Sequence, residues 1–170
     1  RFLVPYLMGY EGWALFMDCD MLCRADIKAL WDLRDDRFAA MCVQHEHVPG
    51  ETVKFLGEVQ SAYPKKNWSS LMLLNCSRCR QLTVDYVNTA TGLELHRFHW
   101  LEGDHEIGAL DPGWNHLVDV QEAPAAVAHD GPPLLHWTLG GPWFREQRTM
   151  GGVLAAEWFG ARDDAMKCWD

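Results

Sequence analysis

The segment GWALFMDCD, residues 12–20, decides the fold class of this chain. Residues 13–17 are a short apolar run, which predicts a buried core strand, and Asp18 and Asp20 follow it directly. Side chains two positions apart on extended backbone point the same way, so we expect the two carboxylates to converge. Converging carboxylates repel each other unless a cation lies between them, and oxygen ligands suit a divalent cation. The segment therefore predicts a metal site, and two exposed loop acids are the alternative.

The composition is typical of a globular protein. A chain of 170 residues can form one domain with a substantial core, and 48% of this one is hydrophobic. The net charge of −9 argues against a nucleic-acid partner, because phosphate contacts require clustered cations. No apolar run approaches the roughly 20 residues that span a bilayer, and no signal-peptide pattern opens the chain. We expect a single cytoplasmic domain over residues 1–170, without a transmembrane segment.

Strand and helix patterns alternate along the chain. The predicted elements are strands at 13–17, 38–43 and 71–74 and helices at 26–31, 77–88 and 151–170, the last within a helical tail over 145–170. The last helix is predicted to be amphipathic, with Leu154, Trp158 and Met166 on one side. Asp26 is the expected N-cap of its helix, and Thr83 and Asp85 are available as caps. The polar stretch 44–64 predicts a loop with a short helix. Alternation of this kind favours an α/β sheet packed on both faces.

Cysteines and tryptophans leave alternatives open. Cys76 and Cys79 have the C-x-x-C spacing of zinc and redox sites, but the chain has no second such pair, so ordinary half-buried thiols are expected. Five tryptophans fall in predicted loops: Trp68, Trp100, Trp114, Trp137 and Trp143. A tryptophan face suits a sugar ring, and packing under loops is an equally good explanation for each of them.

Four segments in order resemble motifs of the GT-A glycosyltransferases, in particular those of family 8. WALFMDCDMLCR at 13–24 resembles the D-x-D strand, and RFLVP at 1–5 resembles the arginine-led segment before it. SSLMLLN at 69–75 resembles the N-A-G-V-L-L-I-N strand, and HWTLGGPW at 136–143 resembles the late H-x-x-G-x-x-K-P-W motif. The resemblance implies an α/β, Rossmann-like GT-A fold with a mixed central sheet flanked by helices.

The resemblance also implies a function and a set of site residues. Asp18, Asp20 and His136 would bind Mn²⁺ or Mg²⁺, and imidazole modestly favours Mn²⁺. The residues implied to contact a nucleotide-sugar donor such as a UDP-hexose are Arg1, Asp18, Cys19, Asp20, Ser69, Ser70, Gly140 and Gly141. The implied reaction transfers a hexose to a glycan, glycoside or protein acceptor with retention of configuration.

No residue is singled out as the catalytic base. Asp104 and Asp111 are the catalytic candidates, with His105 and Glu106 beside Asp104. Trp100 and Trp114 are candidates for the acceptor side, with core packing as the alternative.

Two departures from the family pattern affect these expectations. The late motif is one residue shorter than in the family, and Gly141 replaces its lysine, which leaves Arg145 or Arg148 to supply the charge. Only about 17 residues precede the D-x-D motif, so we expect a fragment that lacks the N-terminal nucleotide-binding part. Rival functions are a metal-dependent hydrolase or nucleotidyltransferase and a non-catalytic carbohydrate-binding domain.

Overall fold

The apolar segment that precedes the two aspartates forms a strand, as the sequence predicts. A computed structural model describes residues 1–46, 64–121, 131–149 and 151–168. The strands are β1 (Trp13–Met17), β2 (Met21–Cys23), β3 (Ala40–Cys42), β4 (Leu71–Asn75), β5 (Ile107–Ala109), β6 (His116–Leu117) and β7 (Leu134–His136). The α-helices are α1 (Val4–Leu7), α2 (Ile27–Trp31), α3 (Val84–Thr89), α4 (Gly92–His96) and α5 (Val153–Lys167). Most of the predicted loop at 44–64 lies outside the described residues.

Four strands form the larger sheet in the order β1-β4-β3-β5. Strand β4 pairs antiparallel with both neighbours, whereas β3 and β5 are parallel, so the sheet is mixed as expected. All five residues of β4 are buried, but all five of β1 are only half-buried. The prediction of a fully buried strand at 13–17 is therefore wrong in this respect, because β1 lies at an edge of the sheet.

The side chains of β4 supply apolar contacts to both faces of this sheet. Met72 and Leu74 pack into one hydrophobic cluster, and Leu71 and Leu73 pack into another. This alternation follows from the two-residue period of a strand. Helix α2 covers the second face through Leu30, which is fully buried. The sheet is thus packed on both faces, as the alternating elements predict.

A smaller sheet has the strand order β2-β7-β6. Strand β7 is antiparallel to β2 and parallel to β6, and its three residues are buried. Helix α5 packs on this sheet through Leu154, which shares a cluster with Leu135. Arg24, directly after β2, also forms an ion pair of 2.9 Å with Glu157 of α5. The tail is therefore fixed against the strand that ends at His136.

The predicted C-terminal helix is present as α5, but one of its expected apolar contacts is absent. Leu154 is buried and Trp158 is half-buried, whereas Met166 is 62% exposed. Because each helical residue turns about 100°, position 166 lies about 120° around the helix from position 154. The prediction that Met166 shares their face is wrong for this reason. No described helix is long and apolar enough to cross a membrane.

The predicted helix at 77–88 is wrong in its first half. A 3₁₀ turn occupies Cys76–Arg78, and α3 begins only at Val84. Thr83 accepts a hydrogen bond from the Tyr86 backbone N–H, so it is an N-cap and ends the non-helical segment. The predicted cap of α2 is confirmed, since Asp26 accepts from Lys28 at 2.8 Å.

Cys76 and Cys79 are buried free thiols. Burial raises the pKa of Cys79 to about 12 and also raises the pKa of Cys76, so neither thiol is a ready nucleophile. Both belong to the hydrophobic cluster around Met72. The expectation of ordinary thiols is confirmed, although they are more deeply buried than expected.

Candidate metal and nucleotide-sugar site

Asp18 precedes the turn between β1 and β2, and Asp20 lies in this turn. The backbone N–H of Asp18 donates to the Ser70 carbonyl at 2.8 Å, which continues the pairing of β1 with β4. Cys19 and Asp20 form the turn, and Cys19 is exposed. The sequence predicts that the two carboxylates converge because the backbone is extended through Asp20, and this reason is wrong. The turn and the pairing of β2 with β7 bring the carboxylates together.

Strand pairing places His136 beside Asp20. Met21 is the register partner of His136, and the backbone N–H of Trp137 donates to the Asp20 carbonyl at 3.0 Å. Only 2% of His136 is exposed, so its imidazole is shielded from solvent. The two residues, far apart along the chain, therefore become neighbours in one antiparallel ladder.

The side chains of Asp18, Asp20 and His136 form a compact cluster. One potential ligand atom from each lies within 4.8 Å of the others, and within the described ranges no other group of His, Cys, Asp or Glu meets this geometry. Oδ1 of Asp20 lies 3.4 Å from His136 Nε2 and is buried without a hydrogen bond. Two ligands about 2.1 Å from an octahedral cation lie about 3 Å apart, so this spacing fits a divalent ion. Two carboxylates and an imidazole are also an accepted donor set for Mn²⁺.

Burial and neighbouring groups shift the pKa values of the two carboxylates in opposite directions. Burial raises the pKa of Asp18, and the charge of Asp20 adds to the rise, although Arg1 opposes it. Burial also acts to raise the pKa of Asp20, but the proximity of the His136 imidazole outweighs it and the net pKa is lowered. Both carboxylates thus lie in an environment where a positive group is favourable.

Arg1 lies beside the cluster, and its contact with a nucleotide-sugar donor stays a prediction. Its Nη2 lies 2.7 Å from Asp18 Oδ1, and its Nη1 donates to the Ser69 carbonyl at 3.0 Å. The guanidinium also lies over the Phe16 ring, 5.2 Å from the centroid. A cation is therefore held next to the acidic pair by three different contacts.

Ser69 and Ser70 are nearly buried, and protein groups engage both hydroxyls. The Ser69 Oγ lies 2.6 Å from His96 Nδ1. The Ser70 Oγ donates to the Asn67 carbonyl at 2.6 Å and accepts from Asn115 at 2.9 Å. These contacts give both serines structural roles, and their contact with a donor sugar stays a prediction.

Asn115 and Asn67 are part of the site and were missed by sequence reasoning. Asn115 is fully buried and lies directly before β6, where its amide contacts His136 Nδ1 at 2.8 Å. Asn67 has a left-handed backbone with φ of 64°. Asparagine tolerates this conformation better than most residues, which is the one local signal the sequence offers.

Two further histidines near the cluster were also missed. Burial, with smaller contributions from the neighbouring His136 and His116, lowers the pKa of His45 to about 4. Burial also lowers the pKa of His116. Both side chains are therefore neutral at physiological pH, and their Nε2 atoms are buried without a hydrogen bond.

Packing requires glycine at positions 140 and 141. Gly140 has φ of +104°, and its N–H donates to the Trp137 carbonyl at 2.9 Å. That donor is engaged within the turn, which differs from its predicted role toward a diphosphate. A Cβ on Gly141 would lie 2.2 Å from the Trp143 ring. Contact between the Gly141 backbone and a diphosphate stays a prediction.

We expect Gly141→Ala to lower the free energy of unfolding by about 1–3 kcal/mol, because the methyl group overlaps the Trp143 ring. Urea denaturation measures this loss. Gly160→Ala is the matched control, since no atom lies within 4 Å of its added methyl group on α5. The control is expected to gain about 0.5–1 kcal/mol. Equal stability of Gly141→Ala and the unchanged chain would contradict the packing explanation.

The candidates for a catalytic base make other contacts. Asp104 forms an ion pair with Lys65 and is largely exposed. Asp111 caps a 3₁₀ helix by accepting from the Gly113 N–H at 2.8 Å. Glu106 pairs with Arg78 at 3.1 Å, and His105 is exposed. None of them belongs to the metal cluster, and a catalytic role for them stays a prediction.

The aromatic and basic candidates divide by burial. Trp100 and Trp114 are 3% and 7% exposed and belong to the two clusters that cover the large sheet, so core packing explains them. Arg145 and Arg148 are exposed beyond the Gly140–Gly141 turn. That one of these arginines supplies the positive charge of the lysine that Gly141 replaces stays a prediction.

Comparison with solved structures identifies the fold. The glycosyltransferase GlyE of Streptococcus pneumoniae TIGR4, in its apo form, matches 95% of this chain with a TM-score of 0.54 at 16% identity. An active-site mutant of LgtC matches 95% with a TM-score of 0.57 at 15% identity. The chain has a GT-A glycosyltransferase fold. The sequence prediction of fold class is confirmed, and these matches cover 45% of GlyE and 65% of LgtC.

The GT-A chain also has a similar curated protein. It is 51% identical over 146 residues to Protein CDI of Arabidopsis thaliana, which covers 85% of this chain. The chain spans 56% of that protein's length. No protein-family model matches the sequence. The chain therefore combines a GT-A fold with a cluster of two aspartates and a histidine.

Proposed function

We propose that this chain is the metal-binding part of a glycosyltransferase that uses a nucleotide-diphosphate sugar, such as a UDP-hexose. The transferred hexose would go to a glycan, glycoside or protein acceptor with retention of anomeric configuration. One observation supports this above the others: Asp18, Asp20 and His136 converge within 4.8 Å on a GT-A fold.

The residues of the cluster have distinct roles in this proposal. The Asp18 and Asp20 carboxylates and His136 Nε2 would hold Mn²⁺, or less favourably Mg²⁺. When bound, this cation supplies charge neutralisation for the nucleoside diphosphate as the glycosidic bond breaks. Arg1 supports the same purpose, since its guanidinium already lies beside Asp18 and is directed at the acidic pair. Burial of His136 keeps bulk water from competing at Nε2.

The rival of a non-catalytic carbohydrate-binding domain has little support. Sugar-binding tryptophans must present an accessible ring face. Trp100, Trp114 and Trp137 are 3%, 7% and 1% exposed, so their rings are used for packing. A domain of that class also needs no cluster of metal ligands.

Calorimetry with UDP tests the proposed site. We expect Mn²⁺ to tighten UDP binding by the 170-residue chain at least about tenfold, since a cation held by Asp18, Asp20 and His136 would supply positive charge for the diphosphate. EDTA should reverse the gain. Equally tight UDP binding with and without Mn²⁺ would overturn the proposal.

Product analysis separates transfer from the rival hydrolysis. A UDP-hexose incubated with acceptor and Mn²⁺ should give UDP and a glycosylated acceptor whose anomeric configuration, read by NMR, matches the donor. Free hexose with UDP and no glycosylated product would instead indicate a hydrolase. Release of UMP or a sugar phosphate would indicate nucleotidyl chemistry.

A further inference from the structure

We propose that Asn115 is a positioning residue that fixes the tautomer of His136, so that Nε2 is the nitrogen available to the cation. This inference rests on the proposed metal site and adds a residue to it. Asn115 is fully buried, and its amide touches His136 Nδ1 at 2.8 Å on the side of the ring opposite Asp20.

The orientation of the Asn115 amide follows from its other contacts. Nδ2 lies 3.3 Å from the Asn67 carbonyl, which can only accept a hydrogen bond. Nδ2 also lies 2.9 Å from the Ser70 Oγ. The Ser70 hydroxyl donates its single proton to the same Asn67 carbonyl at 2.6 Å, so it accepts from Asn115. Both contacts require the NH₂ group of Asn115 on this side and place Oδ1 toward His136.

The tautomer of His136 then follows. Oδ1 of an amide only accepts, so Nδ1 of His136 must carry the proton. In a neutral imidazole this leaves the lone pair on Nε2. Nε2 lies 3.4 Å from Asp20 Oδ1, the buried oxygen without a hydrogen bond. The lone pair is thus directed to the place where the three candidate ligands converge.

The tertiary structure holds this chain of hydrogen bonds in place from both ends. Asn67, in its left-handed conformation, presents its carbonyl to both Ser70 and Asn115. Asn115 precedes β6, which is parallel to β7, and the Val118 N–H donates to the His136 carbonyl at 2.9 Å. Rotation of the Asn115 amide would place its NH₂ against Nδ1–H and its oxygen against the Asn67 carbonyl.

Nitrogen NMR of the histidine rings and Mn²⁺ calorimetry test the inference together. In the metal-free chain we expect His136 to be protonated at Nδ1 and not at Nε2. Asn115→Leu has a similar size but cannot accept a hydrogen bond. It should populate the Nε2–H tautomer and bind Mn²⁺ about 10- to 100-fold more weakly, as is typical for loss of a partner behind a metal-bound histidine.

Two further variants separate positioning from stability. Asn115→Asp retains an acceptor for Nδ1–H and should keep the wild-type tautomer, even if its stability falls because the Asn67 carbonyl loses a donor. Ser70→Ala leaves the Asn67 carbonyl to orient the amide, so its His136 tautomer should also be unchanged. Melting temperatures of all variants report stability separately.

The outcomes are distinguishable from failure of the proposed function. If the unchanged chain binds no Mn²⁺, the proposed function fails, while the NMR result still tests Asn115. An Nε2–H tautomer in the unchanged chain would overturn the inference, and so would a folded Asn115→Leu variant with unchanged Mn²⁺ affinity. If Asn115→Leu does not fold, the tautomers of the unchanged chain and of Asn115→Asp decide.

Discussion

Asp20→Asn is expected to weaken Mn²⁺ binding at least about 100-fold and to abolish the effect of Mn²⁺ on UDP binding. The substitution preserves shape and removes one negative charge from the cluster. Two unit charges 4 Å apart near a protein surface interact by about 4 kcal/mol, and 1.4 kcal/mol corresponds to a factor of ten. Because Asp20 Oδ1 is buried without a hydrogen bond, it is available as a ligand, and the substitution would replace this charged ligand by a neutral amide. Calorimetry with Mn²⁺ alone measures the effect.

The matched control for this variant is Asp163→Asn. Asp163 is exposed on α5, pairs with its neighbour Arg162 and is not a member of the cluster. Its replacement removes the same charge from the chain and should leave Mn²⁺ affinity within about twofold, because an exposed charge in a surface ion pair is largely screened by solvent and salt. An Asp20→Asn variant that binds Mn²⁺ as tightly as the control would refute the metal site.

Leu73→Ala is expected to lower the free energy of unfolding by about 2–5 kcal/mol. Leu73 lies at the middle of β4, fully buried, with Leu15 of β1 and Met41 of β3 as register partners. Truncation removes apolar contacts and leaves a cavity between the sheet and α2, which cannot collapse without shifting three strands. Urea denaturation followed by tryptophan fluorescence measures the loss.

Leu7→Ala provides the control for the cavity. Leu7 ends α1 and is 76% exposed, so the same truncation should change stability by no more than about 0.5 kcal/mol. Similar losses for the two leucines would contradict the central position of β4.

The local sequence was sufficient to predict several elements. The apolar run at 13–17 and the run that became β4 were correctly assigned as strands, because strand patterns extend over only a few residues. The Asp26 cap is a contact between positions two apart, so it is equally local. The correct fold class followed from four short segments that resemble GT-A motifs and occur in the order of that family.

Other features differ from the sequence prediction or have no signal in the local sequence. The edge position of β1 is decided by the sheet order β1-β4-β3-β5, for which the residues of β1 contain no signal. The sequence indicates Thr83 as an available cap, which is confirmed, but it also predicts a helix from residue 77, and the structure begins α3 only after this cap. The packing of Gln147 and Trp143 beside Gly140 and Gly141 has no signal in the local sequence, and contact of these glycines with a diphosphate stays a prediction.

The sequence alone determined which chemical groups are available: two carboxylates after a strand, and a histidine before a Gly-Gly turn. Only the tertiary structure decided that these groups meet, and that Asn115 and Asn67 orient the imidazole behind them. The physical reason is distance. Hydrogen bonds and metal ligation act over about 3 Å, and residues far apart along the chain reach that separation only when strand pairing fixes their backbones.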